Sequence, residues 1–301
     1  MPRSKLIAIL EVTFAVIVWG ASFVATKVAV QEVSPVTVVW LRFAIGVAIL
    51  GAATILRRQF ALPARNEVAY FALLGFLGIT FHQWLQSTGL VTAQATTSAW
   101  IVATMPIFMV ILGWLVLAEK LSWRQGSGIV VAVLGVLVVV SKGDLAALAG
   151  GHFGSQGDIL VMLSAPNWAV FSILSRRGLQ RYPATRMMFF VMAFGWLFSS
   201  VLFITRGGLS EWPAFSASGW LSVGFLGVFC SGLAYIFWYD ALKALPAAQA
   251  GAFLYLEPFV TVIVAALVLK EPLLGVSLLG GAAILIGVWV VNQYSSPSKG
   301  K

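Results

Sequence analysis

The chain has 301 residues, of which 60% are hydrophobic and only 10% charged, with a formal net charge of +9. A soluble domain carries about 25% charged residues, so a single water-soluble core is excluded, and the mean hydropathy of +0.96 makes lipid the natural solvent. The basic excess is not a nucleic-acid footprint, because Lys and Arg sit at the ends of apolar runs and form no continuous stripe. The one cysteine, Cys230, rules out an internal disulfide and a Cys-rich metal site.

A membrane-crossing helix needs about 20 mostly apolar residues. Ten stretches qualify: 6–30, 36–56, 68–90, 96–118, 125–141, 157–175, 187–205, 218–242, 247–268 and 273–292. The first follows Met1-Pro2-Arg3-Ser4-Lys5. It is too long for a signal peptide, and Lys27 interrupts where cleavage would fall, so it reads as a retained span. The longest breaks, near Gly143–Gln156 and Arg206–Ser218, are rich in Gly and Ser, as loops are. Orientation follows Lys and Arg. With the N-terminus in the cytoplasm, ten crossings leave 14 basic residues inside and three outside, Lys142, Arg206 and Lys270. Both termini are therefore expected to be cytoplasmic.

The second half echoes the first. Trp19 and Lys27 are matched by Trp168 and Arg176, and Gly75-Phe76-Leu77-Gly78 by Gly224-Phe225-Leu226-Gly227, each at an offset of 149 residues. After a three-residue slip the offset is 152, pairing Met105-Pro106 with Glu257-Pro258, Glu119 with Glu271, Gly128 with Gly280 and Gly135 with Gly287. Five spans per half is odd, so the halves are expected to lie in opposite orientations. The expected fold is thus all-α integral membrane, with ten transmembrane helices as two inverted five-helix repeats. These are residues 1–145 and 146–301, and the architecture places a site near the midplane between them.

These residues resemble the drug/metabolite transporter superfamily, specifically its ten-span EamA type. Trp19-Gly20-Ala21-Ser22-Phe23 with Lys27, Ser34-Pro35, Leu41-Arg42-Phe43, Met105-Pro106, Glu119-Lys120-Leu121 and Leu256-Glu257-Pro258 carry the likeness over almost the whole chain. The resemblance implies a carrier of small metabolites, usually an exporter. Within the family the chain looks most like the YddG-type exporters of aromatic and other neutral amino acids. Ser164-Ala165-Pro166-Asn167-Trp168 departs from the pattern, which more often keeps an unbroken apolar helix there.

Several side chains inside the spans are candidates for substrate contact. Glu257, near the middle of span 9, is costly in lipid and needs a cavity or a partner; it suits a substrate ammonium or a coupling proton, or else accepts hydrogen bonds at the Pro258 kink. His82 and Gln86 share one helix face, with Gln83 beside them. Trp19, Trp100, Trp168, Tyr235, Tyr239 and Tyr255 suit an amphipathic organic ligand through stacking and cation–π contact. Pro106, Pro166 and Pro258 mark hinges or kinks, and Asn167 stands ready to take a carbonyl freed at Pro166. Lys27 and Arg42 are read as snorkelling cations, with an ion pair to Glu32 or Asp158 as the alternative. Glu119 and Glu271 read as caps and interfacial partners of Lys120 and Lys270. The glycines of spans 5 and 10 allow close helix approach, toward a second subunit if the protein is a homodimer rather than a monomer.

No paired carboxylates, His cluster, nucleophile–base pattern or nucleotide motif is present, His152 being in a loop. The expectation is therefore a carrier and not an enzyme, with no cofactor and no metal, embedded in the bacterial inner membrane as a multi-pass protein. Its partners are membrane lipid and a small-molecule substrate, with no nucleic acid, and proton coupling is left open. The cargo is expected to be aromatic or other neutral amino acids moved by alternating access; the alternative is proton-coupled efflux of lipophilic cationic drugs.

Overall fold

A computed structural model describes residues 5–117, 121–144, 146, 150–151 and 153–293. Among these, ten helices are long and apolar enough to cross a membrane, and no strand occurs. They are α1 Lys5–Ala29, α2 Pro35–Leu56, α3 Arg65–Thr92, α4 Ala95–Val116, α5 Trp123–Ser141, α6 Gln156–Arg181, α7 Ala184–Thr205, α8 Ala217–Ala241, α9 Gln249–Leu269 and α10 Gly275–Gln293. Short links make successive helices run in alternating directions. The face at which α1 begins is called here the near face, and the opposite one the far face. Ile204, Leu221 and Leu279 stand exposed on the outside of the bundle, where lipid takes the place of a protein core.

Helix α6 runs six residues past the expected span, through Arg176 and Arg177 to Arg181. Hydropathy marks the hydrocarbon layer, whereas the helix continues into the headgroup region, where basic side chains suit its C-terminal dipole. Glu119, Lys120, His152, Arg3, Lys299 and Lys301 lie outside the described residues.

The three marked prolines behave differently. Helix α4 breaks at Ala103-Thr104 and resumes at Met105-Pro106; α9 passes through a 3-10 turn at Leu254–Leu256 and resumes at Glu257-Pro258. Proline is tolerated in a first turn, where its missing N–H costs nothing. Pro166 instead sits inside an uninterrupted α6, so no break occurs there. Asn167 does not tend a freed carbonyl of its own helix: its Nδ2 donates to the Leu77 carbonyl of α3 at 2.8 Å.

Both Gly-Phe-Leu-Gly motifs run into π-helical turns, Phe76–Phe81 in α3 and Leu226–Leu233 in α8. One extra residue per turn rotates everything beyond it by about 100°. That rotation re-aims His82 and Gln83 in α3, and Tyr235 in α8.

Gly128 and Gly135 of α5 and Gly280 and Gly287 of α10 serve this chain's own interior. A Cβ on Gly135 would fall 2.6 Å from the Gly280 carbonyl, and one on Gly128 2.8 Å from that of Gly287. The two helices meet backbone to backbone along this seam, so it is not free to receive a second subunit.

Four far-face helix starts, those of α2, α4, α6 and α8, are held by carboxylates. Asp158 closes a capping box with Ser155 at the start of α6. Glu211 accepts from the Ser34 N–H at 2.8 Å ahead of α2. Glu32 accepts from the Ser216 hydroxyl at 2.6 Å and its N–H at 2.8 Å ahead of α8. Glu271 takes the Ala95 and Thr96 N–H groups and the Thr96 hydroxyl at the start of α4. Each places negative charge where a helix dipole favours it. Lys27 completes the set by donating to the Ala93 carbonyl at 2.7 Å, at the C-terminal end of α3. It therefore caps a helix rather than snorkelling, and Glu32 and Asp158 are spent on caps rather than on an ion pair with it.

Candidate binding cavity

A cavity of about 370 Å³ lies between α1, α2, α3, α4, α6, α8 and α9. This size suits one small organic molecule. At one end Leu179, Tyr239 and Leu242 are half-exposed, whereas Thr26, Ser87 and Leu90 at the other end are buried. Leu179 and Leu242 belong to the ends of α6 and α8 on the near face, so the cavity opens there and is sealed toward the far face.

Seven of the ten expected contact residues meet in this cavity. Trp19 comes from α1, His82 and Gln86 from α3, and Trp168 from α6. Tyr235 and Tyr239 come from α8, and Glu257 from α9. Trp19 packs edge-on to Tyr235 with ring centroids 5.7 Å apart, and its Nε1 donates to the Cys230 carbonyl at 3.1 Å. The His82 ring lies 4.7 Å from Trp168, and its Nδ1 is buried without a partner. Glu257 begins the second segment of α9, and no described residue bonds or pairs with its carboxylate; only its backbone carbonyl is engaged, by Thr261.

The other three stand elsewhere. Trp100 is buried against Phe259 and Gly281 in the packing of α4 on α9 and α10. The break after it turns Val102, Met105 and Met109 to the cavity instead. Tyr255 bonds Asn292 of α10 through its hydroxyl. Asn167, one residue from Trp168, points about 100° away along the same helix to Leu77.

Arg42 is the residue that sequence reasoning misplaced. It does not reach the interface; it lines the cavity and is only 5% exposed. Its Nε donates to Ser231 Oγ and its Nη1 to Gln83 Oε1, both at 3.1 Å, and the guanidinium lies 5.0 Å from the Phe43 ring. No carboxylate of a described residue pairs with it. The signal was available: Arg42 stands seven residues into α2, about 10 Å along the axis, deeper than Lys27 in α1. Asp240, 1% exposed, sits at the near-face end of α8. It takes both Arg57 nitrogens, at 2.6 and 3.0 Å, and Lys243 at 2.9 Å.

The EamA-like transporter family model matches residues 6–141 and 155–293. The chain belongs to the EamA-like transporter family. The transporter is 26% identical over 286 residues to an uncharacterized transporter of Archaeoglobus fulgidus, covering 94% of this chain and 96% of that one. It is 28% identical over 295 residues to a probable terminal-alkyne amino-acid exporter of Streptantibioticus cattleyicolor, covering 95% and 93%. A solved structure 22% identical to it superposes with a TM-score of 0.64 over 96% of this chain and 98% of that one, a likeness of fold. The transporter is accordingly a multi-pass protein of the cell membrane, in a family of transporters rather than of enzymes.

Proposed function

We propose that this transporter is an inner-membrane alternating-access carrier that exports small metabolites, with aromatic or other neutral amino acids as its cargo. The observation that carries the reading is the Glu257 carboxylate. No described residue pairs with it, and it stands in a cavity walled by Trp19, Trp168, Tyr235 and Tyr239. An unspent carboxylate inside the membrane calls for a cation, and rings with polar tips suit an amphipathic one. The name of the Streptantibioticus relative supports an amino-acid cargo, in line with the likeness to YddG-type exporters.

Two inverted five-helix repeats, residues 1–145 and 146–301, are the machinery we infer. The two segments matched by one family model, the paired π turns and the paired breaks at Met105-Pro106 and Glu257-Pro258 support that division. Paired helix breaks are suited to let the halves rock about a central site. The basic residues of the near face, among them Arg57, Arg65, Arg124, Arg176 and Arg186, support cytoplasmic termini. On that orientation the cavity opens inward, the loading side for export.

The test is efflux from proteoliposomes with and without a pH gradient. Glu257→Gln is expected to impair phenylalanine efflux and exchange alike, with and without the gradient, because it removes the partner of the substrate's ammonium. Phenylalanine transport unchanged by the substitution would remove Glu257 from the substrate site. Efflux of lipophilic cations in place of amino acids would replace the cargo reading with the drug-efflux one.

A further inference from the structure

We propose that Arg42 and Glu257 are the two poles of a subsite for the zwitterionic backbone of an α-amino acid, Arg42 taking the carboxylate and Glu257 the ammonium. The proposal rests on the amino-acid reading of the cavity and adds to it the means of selection.

Arg42 carries a buried positive charge whose hydrogen-bond partners are both neutral, Ser231 and Gln83. Buried charges are normally paired, and a guanidinium has five N–H donors arranged to grip a carboxylate at two points. Ser231 takes Nε and Gln83 takes one position on Nη1, and no described residue accepts from Nη2. These bonds fix the plane of the fork and leave its outer edge for an anion. Neither neighbour satisfies the charge; both position it.

Glu257 presents the opposite sign across the α1 wall. The Trp19-Gly20 step packs against the backbone beside each pole. Trp19 bonds the carbonyl of Cys230, the residue before Ser231. Gly20 packs directly on the Glu257 carbonyl, where a Cβ would fall at 2.7 Å, and its own carbonyl accepts from Thr261 at 2.7 Å. Cys230 lies within electrostatic reach of both charges. Arg42 and Glu257 nevertheless form no ion pair with each other. A ligand that carries both charges close together satisfies both groups; one that carries a single charge leaves the other unpaired. A dication meets Arg42 with repulsion, which sets the cavity against doubly charged drugs. The remaining walls, Met105, Met109 and Trp168, are left for an apolar or aromatic side chain.

Calorimetric binding to the purified transporter tests this with three ligands: phenylalanine, phenethylamine (no carboxylate) and 3-phenylpropionate (no ammonium). The wild type is expected to bind phenylalanine at least ~10-fold more tightly than either analogue, since each lost charge-assisted contact is worth roughly that factor or more. Arg42→Met should weaken phenylalanine by roughly 30-fold and leave phenethylamine within about 3-fold. Glu257→Gln should weaken phenylalanine similarly and spare 3-phenylpropionate. Arg42→Met weakening phenylalanine and phenethylamine equally would assign Arg42 a structural role and overturn the proposal while the cargo reading stands. If Arg42→Met does not fold, the wild-type comparison decides alone: three ligands of equal affinity overturn the proposal. A wild type that binds no amino acid at all overturns the cargo reading and the proposal with it.

Discussion

Glu271 offers the sharpest test of how the far face is closed. Its half-buried carboxylate, in the link between α9 and α10, accepts from Ala95 N–H at 2.8 Å, Thr96 N–H at 3.1 Å and Thr96 Oγ1 at 2.6 Å. Glu271→Ala removes the N-terminal cap of α4, worth about 1 kcal/mol. It also removes the charge–dipole attraction, about 0.5 kcal/mol, and a hydroxyl hydrogen bond of about 1 kcal/mol. The total is roughly 2–3 kcal/mol, or a fall in Tm of roughly 3–5 °C for a chain of this size. The protein carries its own reporter, because its one cysteine, Cys230, is fully buried; a thiol-reactive dye brightens as heating exposes it. Glu211→Ala, which loses a single bond to Ser34 N–H, should lower Tm by roughly 1–2 °C on the same scale. Equal effects from the two substitutions, or none from Glu271→Ala, would refute the cap as the source of the strength.

The other predictions use the same reporter. Asp240→Asn should cost about 2–3 kcal/mol, because it leaves Arg57 and Lys243 beside a neutral group; the half-exposed Arg57 keeps the loss at the low end for a buried ion pair. Gly135→Leu should destabilise by at least 1–3 kcal/mol, since the contacted Gly280 carbonyl is backbone and cannot swing aside; Gly126→Leu, with nothing near its Cβ, should cost only a few tenths of a kcal/mol or less. The Ser216 hydroxyl and N–H, with Ser218, hold the Glu32 carboxyl below its ordinary range. A depressed carboxyl contributes stability that is present above its ordinary pKa of about 4.3 and is lost as pH falls through the lowered value. Stability should therefore decline on acidification below about pH 4, and Glu32→Gln should make that decline shallower; an unchanged slope would exclude Glu32 as a contributor.

The ten helices were legible in the sequence because lipid demands length and apolarity, which need no knowledge of partners. The extent of α6 was less so, since a helix outlasts the hydrocarbon layer it crosses. The cavity was legible where polar or aromatic groups stood too deep for the interface, as with Trp19, Trp168, His82 and Glu257. It was not legible where local backbone decides the facing: the breaks before Met105 and Glu257 hide Trp100 and Tyr255, and π turns re-aim the residues beyond them. Arg42 was lost to the habit of treating a basic residue near a span end as a snorkelling one, although its depth argued otherwise. The caps of Glu32, Glu211 and Glu271 join residues more than 170 positions apart, and no single-sequence pattern announces such pairs.

The central claim is that the cavity carries neutral amino acids, and the most direct measurement is uptake of radiolabelled phenylalanine into proteoliposomes, run beside a dicationic dye precursor. The account predicts saturable phenylalanine transport that is lost in Trp168→Ala, with no transport of the dication. Transport of the dication alone, or phenylalanine transport indifferent to Trp168, would contradict it.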